Sequence, residues 1–303
     1  MATFKIVQET EDSWTGPEVA IIHGVKIPTA QLDPSFREED LDHFQTRKDD
    51  VFVVSYPKSG TTWMRELLWQ IHNDGAVSEE NIGSRVFWFE NHPVLRKREP
   101  DNPESSPDSK PVIELLPRPR LLSTHLPYDV IPKGKDDTTT CKYIYIARNP
   151  KDAAVSIYHF LLFFPEMGEF TWDLCLKLFL QGRLVYNLWT DHVLGWWKHR
   201  DDPNVLFLKY EDLKKDLLSS VKAVAEFLSK PLSEEVMQRI AHQCSFEEMA
   251  KHPNTYKVFP KLELSYLRKG DVGDWKTHFT PEMSEKFETE LLAKVREQGL
   301  EFD

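Results

Sequence analysis

No apolar run in this 303-residue sequence reaches membrane-spanning length, and its opening residues, MATFKIVQETEDSW, show no basic start followed by an apolar core. A soluble, cytoplasmic protein with no membrane partner is therefore expected. Cysteine is scarce: Cys141, Cys175 and Cys244 are an odd number with no metal-type or redox spacing, which argues against a disulfide framework and for reduced, packed thiols. No clustered His/Asp/Glu ligand pattern is present, so no metal is expected. Positive charge is in deficit, 38 Lys and Arg against 49 Asp and Glu, a net charge of −11. A nucleic-acid backbone would be repelled by that field, so any anion binding must be local. The G-x-x-x-x-G-K-[ST] spacing of nucleoside triphosphate-binding loops is missing, and no internal repeat is visible.

What is present begins at VFVVSYPKSGTTW, residues 51–63. Val51, Val53 and Val54 give strand character, and Pro57 and Gly60 mark a turn. Thr61 to His72 reads as a helix with apolar residues at Met64, Leu67, Leu68 and Ile71. Amides at a helix N-terminus, joined by Lys58 and the hydroxyls of Ser59, Thr61 and Thr62, suit a phosphate-like group. An ordinary strand-to-helix turn whose hydroxyls only cap the helix would use the same residues. Two later segments tilt the balance. KYIYIARNPKDAAVSIYHFLLF, 142–163, reads as a second strand, turn and helix, with Arg148 at the strand end and Ser156 two turns into the helix. LRKGDVGDWK, 267–276, sets Arg268, Lys269 and Gly270 in a turn. Three separated cationic turns imply one ligand with several charges.

RLLSTH at 120–125 and NVLFLKYED at 204–212 read as further short strands, the second leading into an amphipathic helix from about Asp212 to Leu228. Strands alternating with helices predict an α/β fold: a single domain with a central, mainly parallel sheet flanked by helices. Ligands of such sheets lie beyond the carboxyl ends of the strands, where Tyr56 to Thr62, His125, Arg148 and Tyr210 all fall. Residues 91–119, rich in Pro, Asp, Glu and Ser, read as a long surface loop, and 1–22 as a flexible N-terminal segment of the one domain, 1–303.

YPKSGTTW, RNPKDAAVSIYHF and RKGDVGDWK together resemble the cytosolic sulfotransferase family, whose donor is 3′-phosphoadenosine 5′-phosphosulfate. The resemblance runs from about His23 to the C-terminus. It implies a P-loop-like phosphosulfate-binding loop over Lys58, Ser59, Gly60, Thr61 and Thr62, and a 3′-phosphate site from Arg148, Ser156, Arg268, Lys269 and Gly270. It also implies an adenine pocket formed by Trp63, Tyr210, Cys244 and Phe246. His125, in THLP, matches the catalytic histidine and would be the general base. Lys58 would neutralise the departing nucleotide, and Ser156 would contact both lysine and 3′-phosphate. A small apolar hydroxyl compound or amine, a phenol or steroid-like alcohol, would meet Trp88, Phe89, His125 and Phe160, with Phe87, Phe163 and Phe164 nearby. Eighteen Phe, nine Trp and nine Tyr supply ample material for such a pocket, although most aromatics pack cores. Ser123 stands where many members have lysine, and Cys244 where threonine is common. KTHFTPEMSE, 276–285, resembles the family's dimerisation motif but has Pro281 in place of valine, so a monomer or weak homodimer is expected.

Overall fold

The computed structural model describes residues 4–33, 36, 38–91, 113, 116–134, 141–256 and 267–302. Most of the 91–119 loop expected from sequence lies outside the described residues.

Five parallel strands form the central sheet in the order β5-β6-β4-β7-β8. Here β4 is Val51–Ser55, β5 Phe87–Trp88, β6 Leu121–Thr124, β7 Lys142–Ala147 and β8 Val205–Lys209. β4 is central, pairing with β6 from Val51↔Leu121 to Val54↔Thr124 and with β7 from Val51↔Lys142 to Ser55↔Ile146. Every residue of β4 and β6 is buried, as a sheet covered on both faces requires. The period-2 geometry of a strand then sorts side chains into two cores. Phe52, Val54, Leu122, Tyr143 and Tyr145 enter one core. Val51, Val53, Leu121, Ile144 and Ile146 enter the other with Met64, Leu67, Leu68 and Ile71 of the Thr61–His72 helix. The helical stripe read from the sequence is thus the face that covers β4.

The helix Pro150–Leu161 starts where expected: Pro150 occupies its first turn, where no N–H is needed, and the Asn149 side chain accepts from the Lys151 amide at 2.9 Å. The helix expected over 212–228 is two helices, Tyr210–Lys215 and Leu217–Phe227. Asp216, at φ −147°, leaves the helix to cap the second one, its carboxylate accepting from the Ser219 amide at 3.0 Å.

A flexible segment over 1–22 does not describe residues 5–22. β1 (Lys5–Glu11), β2 (Trp14–Ile22) and β3 (Val25–Pro28) form an antiparallel sheet in that order. Long-range partners fix it to the body: Trp14 Nε1 donates to the Met167 carbonyl at 2.7 Å, the Tyr186 amide donates to Lys26 at 2.8 Å, and Arg183 pairs with Glu9 and Glu11.

Candidate active site

The carboxyl ends of β4, β6, β7 and β8 open into one continuous cavity of about 880 Å³. One half of it is lined by Lys58, Gly60, Thr61, Thr62, Trp63, Arg148, Ser156, Tyr210, Phe246, Arg268, Lys269 and Gly270. Its other half is lined by Trp88, His125 and Phe160 with Ile157, Leu161, Phe164, Met167, Val185 and Tyr186. The three motifs read from the sequence therefore converge on one space.

The loop after β4 is built from two left-handed positions, Lys58 at φ 65° and Gly60 at φ 110°. Only glycine suits the second, since a Cβ there would meet the Tyr210 ring at 2.9 Å. Lysine at positive φ is a strained placement of a kind that clusters at functional sites. Arg148 holds it by donating from Nη1 to the Lys58 carbonyl at 3.1 Å, while its Nη2 donates to the Asp271 carbonyl at 3.0 Å and its plane lies 4.2 Å from the Tyr210 ring centre. Among the described residues, two buried atoms in this region, Ser59 Oγ and Arg148 Nε, have no hydrogen-bond partner. Buried polar groups are normally satisfied, and Arg148, which lines the cavity, fits a site completed by an anionic ligand. Burial, with Arg148 and Arg268 adding repulsion, pushes the Lys58 ammonium down to about 7. The Lys58 Nζ lies 4.5 Å from the centre of the Phe160 ring.

The 267–275 segment is hooked onto the Pro150–Leu161 helix by Asp152, whose two carboxylate oxygens accept from the Gly273 and Trp275 amides at 2.7 and 3.0 Å. Gly270, at φ 69°, lies so close to Phe246 that a Cβ would sit 2.2 Å from its ring. Arg268 and Lys269 are both engaged by Asp274, at 2.5 and 2.6 Å. Burial raises the Asp274 carboxyl, but these two cations outweigh it and hold it at about 2.

His125 ends β6. Its Nδ1 lies 2.6 Å from the Ser55 carbonyl oxygen, which can only accept, so Nδ1 carries the proton and Nε2 keeps its lone pair. Burial pushes the imidazole down to about 3; the Ser55 bond opposes this, while His192, Lys58 and Arg65 reinforce it. A neutral imidazole in this tautomer is what a general base requires. Trp88 and Tyr186 set their rings edge-on at 4.8 and 5.0 Å.

Three expected contacts are placed elsewhere. Phe89 is fully buried in the core, edge-on to Phe44 and Phe52 at 4.9 and 5.6 Å, and does not line the cavity. The alternation of β5 puts Trp88 on the cavity side instead. Cys244 is buried and contributes its carbonyl, which accepts from Trp63 Nε1 at 2.7 Å, so it supports the aromatic wall from behind. Ser59 is buried beneath the loop rather than in the cavity lining. Phe163 is exposed, while Phe87 packs against the core.

Other residues of the site, whether they line it or brace it, carried no local signal. Asp152 reads as a first-turn acid of its helix, and Tyr186 lies outside every motif. Pro17, Val19 and Pro28 line the cavity from the N-terminal sheet, and Ala30 from the turn after it. Among the described residues, no group of three or more His, Cys, Asp or Glu side chains could hold a metal ion, and no helix is long and apolar enough to cross a membrane.

A sulfotransferase domain model matches residues 48–298. Mouse sulfotransferase 1B1 is 37% identical over 305 residues, covering 97% of this chain and 97% of its own. A retinol dehydratase crystallised with androsterone and the inactive cofactor PAP superimposes with a TM-score of 0.76 at 25% identity, covering 99% of this chain and 92% of that one. Mouse sulfotransferase SULT7A1 complexed with PAP gives a TM-score of 0.70 at 33% identity, covering 90% and 93%. A cavity lined by Lys58, Arg148, Arg268 and Lys269, on a sheet shared with these proteins, agrees with the sequence match, and the chain belongs to the sulfotransferase domain family and is a sulfotransferase.

Proposed function

We propose that this chain transfers the sulfuryl group of 3′-phosphoadenosine 5′-phosphosulfate to the hydroxyl, or amine, of a small, largely apolar acceptor, with His125 as general base. The observation that carries this reading is the His125 tautomer: a neutral imidazole with Nδ1 committed to Ser55, in the same cavity as Lys58 and the anion loop. His125 Nε2 takes the acceptor proton as the acceptor oxygen attacks sulfur. The bond from sulfur to the bridging oxygen breaks in line, and the electron pair goes to the 5′-phosphate of the departing adenosine 3′,5′-bisphosphate. Lys58 neutralises that charge, and the amides of the loop hold the sulfuryl oxygens.

Arg148, Ser156, Arg268 and Lys269 line the half of the cavity assigned to the 3′-phosphate, and Trp63, Tyr210 and Phe246 give aromatic faces for the adenine. A cavity of about 880 Å³ accommodates a nucleotide and a flat acceptor together. The apolar half favours phenols and steroid-like alcohols, a class that includes the androsterone held by the retinol dehydratase. Incubating the purified protein with labelled donor and a mixed panel of phenols, alcohols and amines tests the assignment directly. Binding should also depend on the 3′-phosphate. Charge-assisted contacts are worth about 1.5–3 kcal/mol each, but Arg268 and Lys269 must give up Asp274, so the net loss on removing that phosphate is expected to be on the order of 10–100-fold. Equal affinity by calorimetry for adenosine 3′,5′-bisphosphate and adenosine 5′-phosphate would overturn the donor assignment.

A further inference from the structure

The interior holds several buried carboxylates, and most have an evident partner. Asp50 pairs with Arg120, Glu66 with Arg85, Asp152 with two amides, and Glu211 with the Asn149 amide. Glu90 is different. It is fully buried, just past the strand that carries Trp88, and its Oε1 accepts from a hydroxyl, that of Thr124, at 2.7 Å. Burying a carboxyl is costly unless its partners repay the desolvation, and a hydroxyl repays less than a guanidinium. Such a placement calls for a purpose.

The Thr124 hydroxyl that donates to Glu90 also accepts from the Leu126 amide at 3.0 Å. One hydroxyl thereby ties together the residues on either side of His125, and Glu90 fixes the direction of its proton. The main chain of Glu90 is itself pinned, its carbonyl accepting from the Asp33 amide at 3.1 Å. His125 is held at two further points: its carbonyl accepts from His192 Nε2 at 2.8 Å, and its Nδ1 donates to Ser55. The Glu90–Thr124 bond completes this bracing at the sharp exit from β6.

We propose that Glu90 is a positioning residue for His125, acting through the Thr124 hydroxyl to hold the 124–126 turn in the orientation from which Nε2 takes the acceptor proton. This rests on the reading of His125 as the base. What the role requires is an accepting oxygen, not a charge. Burial already pushes the Glu90 carboxyl up to about 7, against the pull of the Thr124 hydroxyl first and then of the Glu90 and His125 amides and the Tyr186 hydroxyl, so a neutral amide with the same oxygen is a fair substitute. Displacing a general base by a fraction of an ångström slows the proton-transfer step while leaving the donor site alone.

The test compares Glu90→Ala, Glu90→Gln and Thr124→Val, each made both in the natural sequence and in His125→Ala. Turnover is measured with a phenol from the acceptor panel, and donor-site integrity by calorimetry with adenosine 3′,5′-bisphosphate. Glu90→Ala is expected to lower kcat by about 10-fold or more with the nucleotide Kd within about 2-fold, and Glu90→Gln to recover most of the loss. In the His125→Ala background, Glu90→Ala should add almost nothing, because groups acting as a unit are not additive. Equal losses in both backgrounds, or Gln as damaging as Ala, would overturn the role of Glu90. If Glu90→Ala fails to fold, Thr124→Val, which removes the bond to Glu90 together with the one from the Leu126 amide, takes its place under the same two-background criterion. Near-normal turnover in His125→Ala alone would instead remove the base, and that outcome is separable from the others.

Discussion

Lys58 and His125 are both bases whose charged forms are disfavoured by burial, yet the proposed chemistry needs one charged and the other neutral. His125, pushed to about 3, stays neutral over the whole working range, so loss of the base through protonation would appear only as pH falls toward that value. Lys58, brought from an ordinary 10.5 to about 7, is protonated below pH 7 and largely neutral above it until an anion arrives. A phosphate or sulfate group nearby raises it again, because opposite charge favours the ammonium. Adenosine 3′,5′-bisphosphate should therefore take up a proton on binding at pH 8 and fail to do so through Lys58 at pH 6. Calorimetry at pH 8 in buffers of differing ionisation enthalpy reads this uptake, and Lys58→Arg, which stays charged, should abolish it. No buffer dependence in the natural sequence at pH 8 would show that Lys58 is already charged in the free protein. His125→Ala, by contrast, should depress turnover on the order of 10²–10⁴-fold while leaving nucleotide affinity nearly intact.

The segment 267–275 is held by features that each rest on one residue, Asp152 at its far end and Gly270 at its middle. Gly270→Ala places a Cβ against the Phe246 ring and forces a left-handed alanine, so a stability loss of about 1–3 kcal/mol is expected. Arg268 and Lys269 move with the segment, so nucleotide affinity should fall too. Phe246→Ala in the same chain should recover only the part of that loss due to the clash, measured by thermal melting, because the left-handed alanine remains. If Gly270→Ala melts like the natural sequence, the close approach is not a constraint. Elements of this kind were legible because their signals are local: a glycine and a lysine between a strand and a helix, or Pro150 after Asn149. Where long-range partners decide, the sequence was silent. Nothing in KIVQETE announces a strand until β2 pairs with it and Trp14 reaches Met167, and nothing in FWFE separates Trp88, facing the cavity, from Phe89, facing the core. Asp216 broke a helix that periodicity alone would have continued, because capping the next helix competes with extending the first.

For the whole molecule the open question is self-association. Pro281 occupies the first turn of the helix Pro281–Phe287, after Thr280, whose side chain accepts from the Met283 amide at 3.3 Å. At that position a helix does not use its N–H, so within the chain the proline is well placed. The loss is felt only where a second copy would have accepted from that amide, at the centre of a small two-fold contact. Lys276 and Glu285 are exposed and remain available for reciprocal pairing, but exposed pairs contribute only about 0.2–1 kcal/mol each. Such an interface is expected to give a monomer, or a dimer that dissociates at micromolar concentration, and Pro281→Val should strengthen it. The described donor-side residues and His125 line one cavity within a single chain, so activity per subunit should not change with concentration. Sedimentation over a concentration series decides the matter: a tight dimer that survives Glu285→Lys must use a different surface, and the argument from Pro281 would then fail.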